Sequence, residues 1–207
     1  QLIFAQKQTD EVYTPQEKKE AKDKLLENIF KNDMAPFYEQ LAQSLGWTVD
    51  EKKLKEMKSN NTKKLKELDD KIQDAVENFG ETEVRDAHLR RAEYYIQMGD
   101  KVNAVKEYRS TFDKTIGATS KIDLILTLIR IGLFFDDLEL VKNSIVEVKS
   151  LIESGGDWDR RNRLKVYEAY YLVSLRDFAG AAELFIATLS SFNASELVQF
   201  ERFVSLA

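Results

Sequence analysis

The stretch Ala92-Glu93-Tyr94-Tyr95-Ile96-Gln97-Met98-Gly99-Asp100-Lys101-Val102-Asn103-Ala104-Val105-Lys106-Glu107-Tyr108 sets small against bulky residues at helical spacing. Ala92, Tyr95, Gly99, Ala104 and Tyr108 stand three, four, five and four residues apart. Small side chains at Ala92 and Ala104 let two helix backbones approach, and the tyrosines fill the adjoining space. Gly99-Asp100 supplies the turn, because glycine enters the left-handed conformation that closes a helix.

The spacing recurs twice. Gly132, Phe135, Ser144, Val148 and Leu151 stand at offsets of 3, 12, 16 and 19 from their small residue, the first three of which match the first unit, with Glu139 at the turn position. Ala169, Leu172, Ala181, Phe185 and Thr188 repeat them again, with Arg176-Asp177-Phe178 at the turn. The starting residues lie 40 and 37 positions apart, somewhat more than the roughly 34-residue tetratricopeptide repeat. The expected fold is all-α: a right-handed solenoid of tetratricopeptide-like helix pairs over residues 81–207, preceded by N-terminal helices over 1–80. A helical bundle with small residues in its core gives the same local pattern.

Working outward, Thr14 before Pro15, with Gln16 and Glu17, reads as a helix start, followed by an apolar stripe of Leu25, Leu26, Ile29 and Phe30. Pro36 opens the next helix, whose inward face is Phe37, Tyr38, Leu41 and Leu45 before Gly46 ends it. From Thr62 to Phe79, the residues Leu65, Leu68, Ile72, Ala75 or Val76, and Phe79 recur at three and four, as on an amphipathic helix. Lysines between Lys52 and Lys71 are interleaved with Glu51, Glu56, Glu67, Asp69 and Asp70, the pattern of a solvated face rather than a nucleic-acid arm. Ser195 reads as the cap of a last helix with Leu197, Phe200, Phe203 and Val204 on its apolar face. Gln1 at the start, and Leu206-Ala207 within that pattern, make the sequence read as part of a longer protein.

Composition excludes much chemistry. With no cysteine and one histidine, His88, there is no disulfide, thiolate metal site, cysteine nucleophile or multi-histidine metal site. Few turn formers (eight glycines, two prolines) and 32% charged residues point to a helical, soluble, intracellular-type chain. A net charge of −5 argues against general nucleic-acid binding. The apolar run from Ile122 to Phe135 contains Asp123 and Arg130 and is short of the roughly 20 residues that span a bilayer. Asp136-Asp137 and Asp157/Asp159 read as helix stops or caps rather than catalytic dyads. His88 is expected to be exposed beside Arg90 and Arg91. No phosphate loop, nucleophile elbow or HExxH motif is present, so no catalytic, cofactor or metal residue is assigned.

Between the second and third repeats, Gly155-Gly156 stops one helix and Asp157 caps the next. Arg160, Arg161 and Arg163 then crowd a helix N-terminus, where positive charge is unfavourable. Two readings account for them. They are neutralised internally, Arg163 by Asp159 and Arg160 or Arg161 by Glu153 or Glu147. Alternatively, with Trp158, they form a basic, aromatic-anchored surface for an acidic patch on a neighbouring subunit.

The run Gly155-Gly156-Asp157-Trp158-Asp159-Arg160-Arg161-Asn162-Arg163-Leu164-Lys165-Val166-Tyr167, with Met34-Ala35-Pro36-Phe37-Tyr38-Glu39 and Ala92 to Lys101, resembles the seventh kind of non-ATPase subunit of the 26S proteasome regulatory lid, within the PCI-domain family. The likeness runs from about Lys24 to Phe203. It implies the helical-repeat arm that precedes a PCI domain: a non-catalytic scaffold without cofactor or small-molecule substrate, working in ubiquitin-dependent degradation in cytoplasm and nucleus. Implied partners are other lid PCI subunits and the ATPase base, with no nucleic acid and no membrane. The first subunit of the COP9 signalosome is similar in architecture but matches the Gly155 to Tyr167 run less well. That subunit and an unrelated tetratricopeptide-like adaptor are the alternatives.

Overall fold

Residues 3, 6, 13–155 and 157–205 are described in a computed structural model, and every regular element among them is helical. Two compact units are present, residues 1–107 and 108–207.

The first unit contains α1 (Pro15–Lys31), α2 (Ala35–Leu45), α3 (Glu51–Asn78), α4 (Glu81–Gln97) and the start of α5 (Lys101–Asp113). At α1 the Thr14 side chain accepts from the Glu17 amide while the Glu17 carboxylate accepts from Thr14, a reciprocal box that satisfies two otherwise orphaned donors. The backbone hydrogen bond from Thr14 is the main reason the Glu17 carboxyl lies below its usual range. α2 has Pro36 in its first turn and closes on Gly46 at φ 65°, with Phe37, Tyr38 and Leu41 buried and Leu45 half-buried.

The amphipathic segment expected from Thr62 is one helix of 28 residues that starts eleven positions earlier, capped by Asp50. Its stripe continues backward through Leu54 and Met57. The break is at Asn61, a buried polar residue that accepts from the Tyr94 hydroxyl at 2.9 Å. Ala75, not Val76, faces inward, and Phe79 is exposed beyond the last turn. α4 packs on α3. Gly80 caps α4, and the boundary between the two compact units falls inside α5.

The second unit holds the rest of α5, then α6 (Ala118–Phe134), α7 (Leu138–Gly155), α8 (Trp158–Ser174), α9 (Phe178–Thr188), a 3-10 turn (Leu189–Ser191) and α10 (Phe200–Val204). α6 packs against α7, α8 against α9, and α8 also against α6 and α7. Ile122, Ile125, Leu126, Leu128 and Ile129 of α6, with Val141 and Val148 of α7, are fully buried. Gly156, expected to help stop α7, lies outside the described residues, as do Leu206 and Ala207. Ser195 does not cap the final helix. That helix begins at Phe200 after Gln199, and Ser195 sits in a turn between buried Ala194 and the engaged side chain of Glu196. Phe203 is buried, while Phe200 and Val204 are partly exposed.

Three helix-to-helix turns share one construction. Gly99, Asp136 and Arg176 have φ of 77°, 57° and 63°. Each is followed by an aspartate whose amide returns to the closing helix: Asp100 to Tyr95 O at 2.9 Å, Asp137 to Gly132 O at 2.8 Å, Asp177 to Leu172 O at 2.9 Å. The aspartate side chains then cap the next helix, accepting from Asn103, Leu140 and Gly180 amides at 3.0 Å each. The second turn is therefore at Asp136, and Glu139 lies inside α7.

This shifts the middle register by three. The residues equivalent to Ala92, Tyr95, Gly99, Ala104 and Tyr108 are Ile129, Gly132, Asp136, Val141 and Ile145, so the starts lie 37 and then 40 apart. The slip has a volume origin. A Cβ built on Gly132 would come within 2.6 Å of Val141 Cγ2, so this pair is small against large. Tyr95 with Ala104, and Leu172 with Ala181, are large against small. The small residue changed sides, and a search for small residues followed it.

Candidate interaction surface at the start of helix α8

The α8 N-terminus is built by Asp157, whose carboxylate accepts from the Arg160 amide at 2.9 Å and from its guanidinium at 2.8 Å. The amide hydrogen bond chiefly holds the Asp157 carboxyl below its ordinary range. Arg160 also reaches Asp123 of α6 at 2.7 Å and the Thr119 carbonyl at 3.3 Å. Arg163 grips Asp123 at 3.0 Å and Glu196 at 2.7 Å. The Tyr167 hydroxyl donates to the same Glu196 oxygen at 2.8 Å. Burial raises Tyr167 strongly, with the Glu196 charge adding to it. Burial would raise Glu196 too, but hydrogen bonds from Arg163 and Tyr167 outweigh it and hold the carboxyl below its usual value.

Two of the three arginines are thus largely buried and neutralised internally, but not by the partners expected. Asp159 binds Asn193, and Glu147 pairs with Arg109. Glu153 is exposed. The partners are Asp123, one repeat length away, and Glu196, beyond the third pair. Asp123 carried a signal in the sequence, as a carboxylate inside an apolar run that needs a cation. Glu196 carried none.

Arg161 points away from this cluster. It is exposed and makes no ion pair among the described residues, and so is Lys165. Trp158 is 67% exposed. Positions 158, 161 and 165 fall within a sector of about 60° at 100° per residue. The remaining outward face of α8 is therefore an indole followed by two cations.

The other singled-out residues fall as follows. Ala92, Ala104, Ser144 and Ala169 are fully buried, Ala181, Phe185 and Tyr108 nearly so, and Gly99 and Gly132 are buried. Tyr95 and Phe135 are half-buried. His88 is not exposed: its ring is 13% accessible, with Nδ1 3.7 Å from Glu107 Oε2, because the helix turns position 88 toward α5. Asp136 and Asp137 form the second turn. Among the described residues, no helix is long and apolar enough to cross a membrane.

Comparison with known proteins decides the family. The model of the family described as 26S proteasome subunit RPN7 matches residues 50–207. The chain belongs to that family. It is 44% identical over 185 residues to the 26S proteasome non-ATPase regulatory subunit 6 of Dictyostelium discoideum, covering 89% of this chain and 48% of that protein. The Caenorhabditis elegans protein of the same name is 48% identical over 187 residues, 90% of this chain and 46% of that one. The 26S proteasome regulatory subunit RPN7 of Saccharomyces cerevisiae is 35% identical over 213 residues, 93% and 50% respectively. The chain spans about half the length of these curated relatives.

Proposed function

We propose that the chain is the helical arm of a non-catalytic scaffold subunit of the proteasome regulatory lid, acting in ubiquitin-dependent degradation in cytoplasm and nucleus. Membership of the RPN7 family over residues 50–207 carries this reading. Its partners are other lid subunits of PCI type and the ATPase base. Residues 1–80 are its N-terminal helices and 81–207 its repeats, stacked as a right-handed solenoid. The three equivalent turns support that arrangement, because repeated helix pairs leave extended surfaces for partners.

Within this arm, Trp158, Arg161 and Lys165 receive an acidic patch of a neighbouring subunit, with the indole as anchor. Arg160 and Arg163 hold the surface in place from behind. Capture with the tagged chain from cell extract is expected to recover lid or base subunits. Recovery of signalosome or translation-initiation subunits alone overturns the assignment. Trp158→Ala and Arg161→Glu are expected to reduce that recovery while the helical circular dichroism is unchanged. Undiminished recovery removes α8 from the interface.

A further inference from the structure

Charges that the sequence interleaves along α3 are sorted by the helix. Lys53 pairs with Glu56, Lys58 with Glu39, Lys64 with Glu67, and Asp69 is held by Arg91. Of the lysines left exposed and without an ion pair among the described residues, Lys71 stands about 80° aside and Lys52, Lys55, Lys63 and Lys66 share one face. At 100° per residue these four fall within a sector of about 80°, opposite the buried stripe of Leu54, Met57, Asn61, Leu68 and Ala75. They span 15 residues, 14 rises or about 21 Å at 1.5 Å per residue. On the same face the sign then reverses, through Asp70, Asp74 and Glu77.

The helix's own field acts on this layout only within its terminal turns. A macrodipole favours anions at the N-terminal end and cations at the C-terminal end. Here lysines crowd the start, and the last turn has no basic residue. Near the first turn Asp50 and Glu51 offset Lys52 and Lys55, the dipole does not reach Lys63 and Lys66, and the four ammonium groups make no ion pair among the described residues. A row of ammonium groups with no apolar residue among them binds by charge complementarity, which governs orientation and encounter rate.

We infer that the Lys52, Lys55, Lys63 and Lys66 face of α3 docks an acidic helix of a neighbouring protein chain. Carboxylates matching the four lysines face it, and Asp70, Asp74 and Glu77 repel any acidic extension past the fourth, which fixes the footprint. This surface lies in the first unit and is independent of the α8 reading.

The probe is a helical peptide bearing glutamates at the same spacing of three, eight and three. Its binding to the full chain is followed by fluorescence anisotropy at about 50 and 200 mM salt, a range in which the screening length shortens appreciably. A control peptide of equal composition scatters its glutamates around the helix. The expected result is binding of the matched peptide, weakened severalfold by salt and at least tenfold by Lys52→Glu, Lys55→Glu, Lys63→Glu and Lys66→Glu combined. The four Lys→Gln changes give a smaller loss and serve as the reading if charge reversal perturbs folding. Trp158→Ala leaves this binding unchanged, which separates it from the α8 surface. No binding of the matched peptide, equal binding of the scattered one, or an equal loss from Lys53→Glu with Lys64→Glu overturns the inference. Tighter binding to a DNA duplex of equal charge than to the peptide also overturns it.

Discussion

Gly99 is constrained twice, by φ of 77° and by Phe37, whose Cβ would lie 2.5 Å from any Cβ added there. Gly99→Ala is therefore expected to cost at least about 2 kcal/mol, from left-handed strain plus overpacking. Asp136 and Arg176 occupy the same backbone state with side chains, and both are exposed. Asp136→Gly and Arg176→Gly should each raise stability, by up to about 1 kcal/mol, as the strain is relieved at the expense of greater unfolded-chain freedom. Denaturant melts of the three variants check both signs. Gly132→Ala should destabilise by about 1 to 3 kcal/mol through Val141, and Val141→Ala in the same chain should restore part of that loss. Failure of the second change to compensate would show that the two side chains do not share one contact. Glycine at 99 was legible because only glycine fits there. The left-handed Asp136 was not, because its residue type does not announce that conformation. The better signal was the following aspartate, present at 100, 137 and 177.

For whole elements, α8 shows where local reading ends. Its cap at Asp157 and its first turn followed from the sequence, because the determining atoms lie within three residues. The destinations of Arg160 and Arg163 did not, since Asp123 and Glu196 approach only after the pairs have packed. The segment carrying Glu196 is tied to α8 in part by these charges, so its stability depends on pH. The folded carboxyl lies below its usual value, so its contribution is present above the unfolded pKa of about 4.3 and is lost as pH falls through the folded value. Glu196→Gln should cost about 1 to 2 kcal/mol at neutral pH, discounted for its partial exposure. That difference should vanish in acid. Chemical melts of both proteins between pH 3 and 7 measure the convergence, and a gap that persists at low pH would assign the effect to packing. α3 repeats the lesson: Leu54 and Met57 belonged to a stripe that Asn61 interrupted, and Tyr94, supplied by another helix, makes Asn61 an inward residue.

Over the whole molecule, the overall charge of −5 conceals two basic surfaces, one in each unit. Salt should act differently on folding and on association. The buried core is almost wholly apolar, so raising salt from about 50 to 200 mM should move the melting midpoint by less than about 3 °C, while capture of partners through the lysine and tryptophan-arginine faces weakens. Calorimetry and capture run side by side test the contrast. The all-helical character was plain from composition and periodicity, but the unit boundary was not, because it falls inside a helix where no glycine or proline marks it. The repeated turn has a consequence in genetic terms. Asp137 and Asp177 are equivalent breakpoints, so an unequal exchange between their codons adds or removes forty residues, one whole helix pair, and joins the ends through a turn the chain already makes.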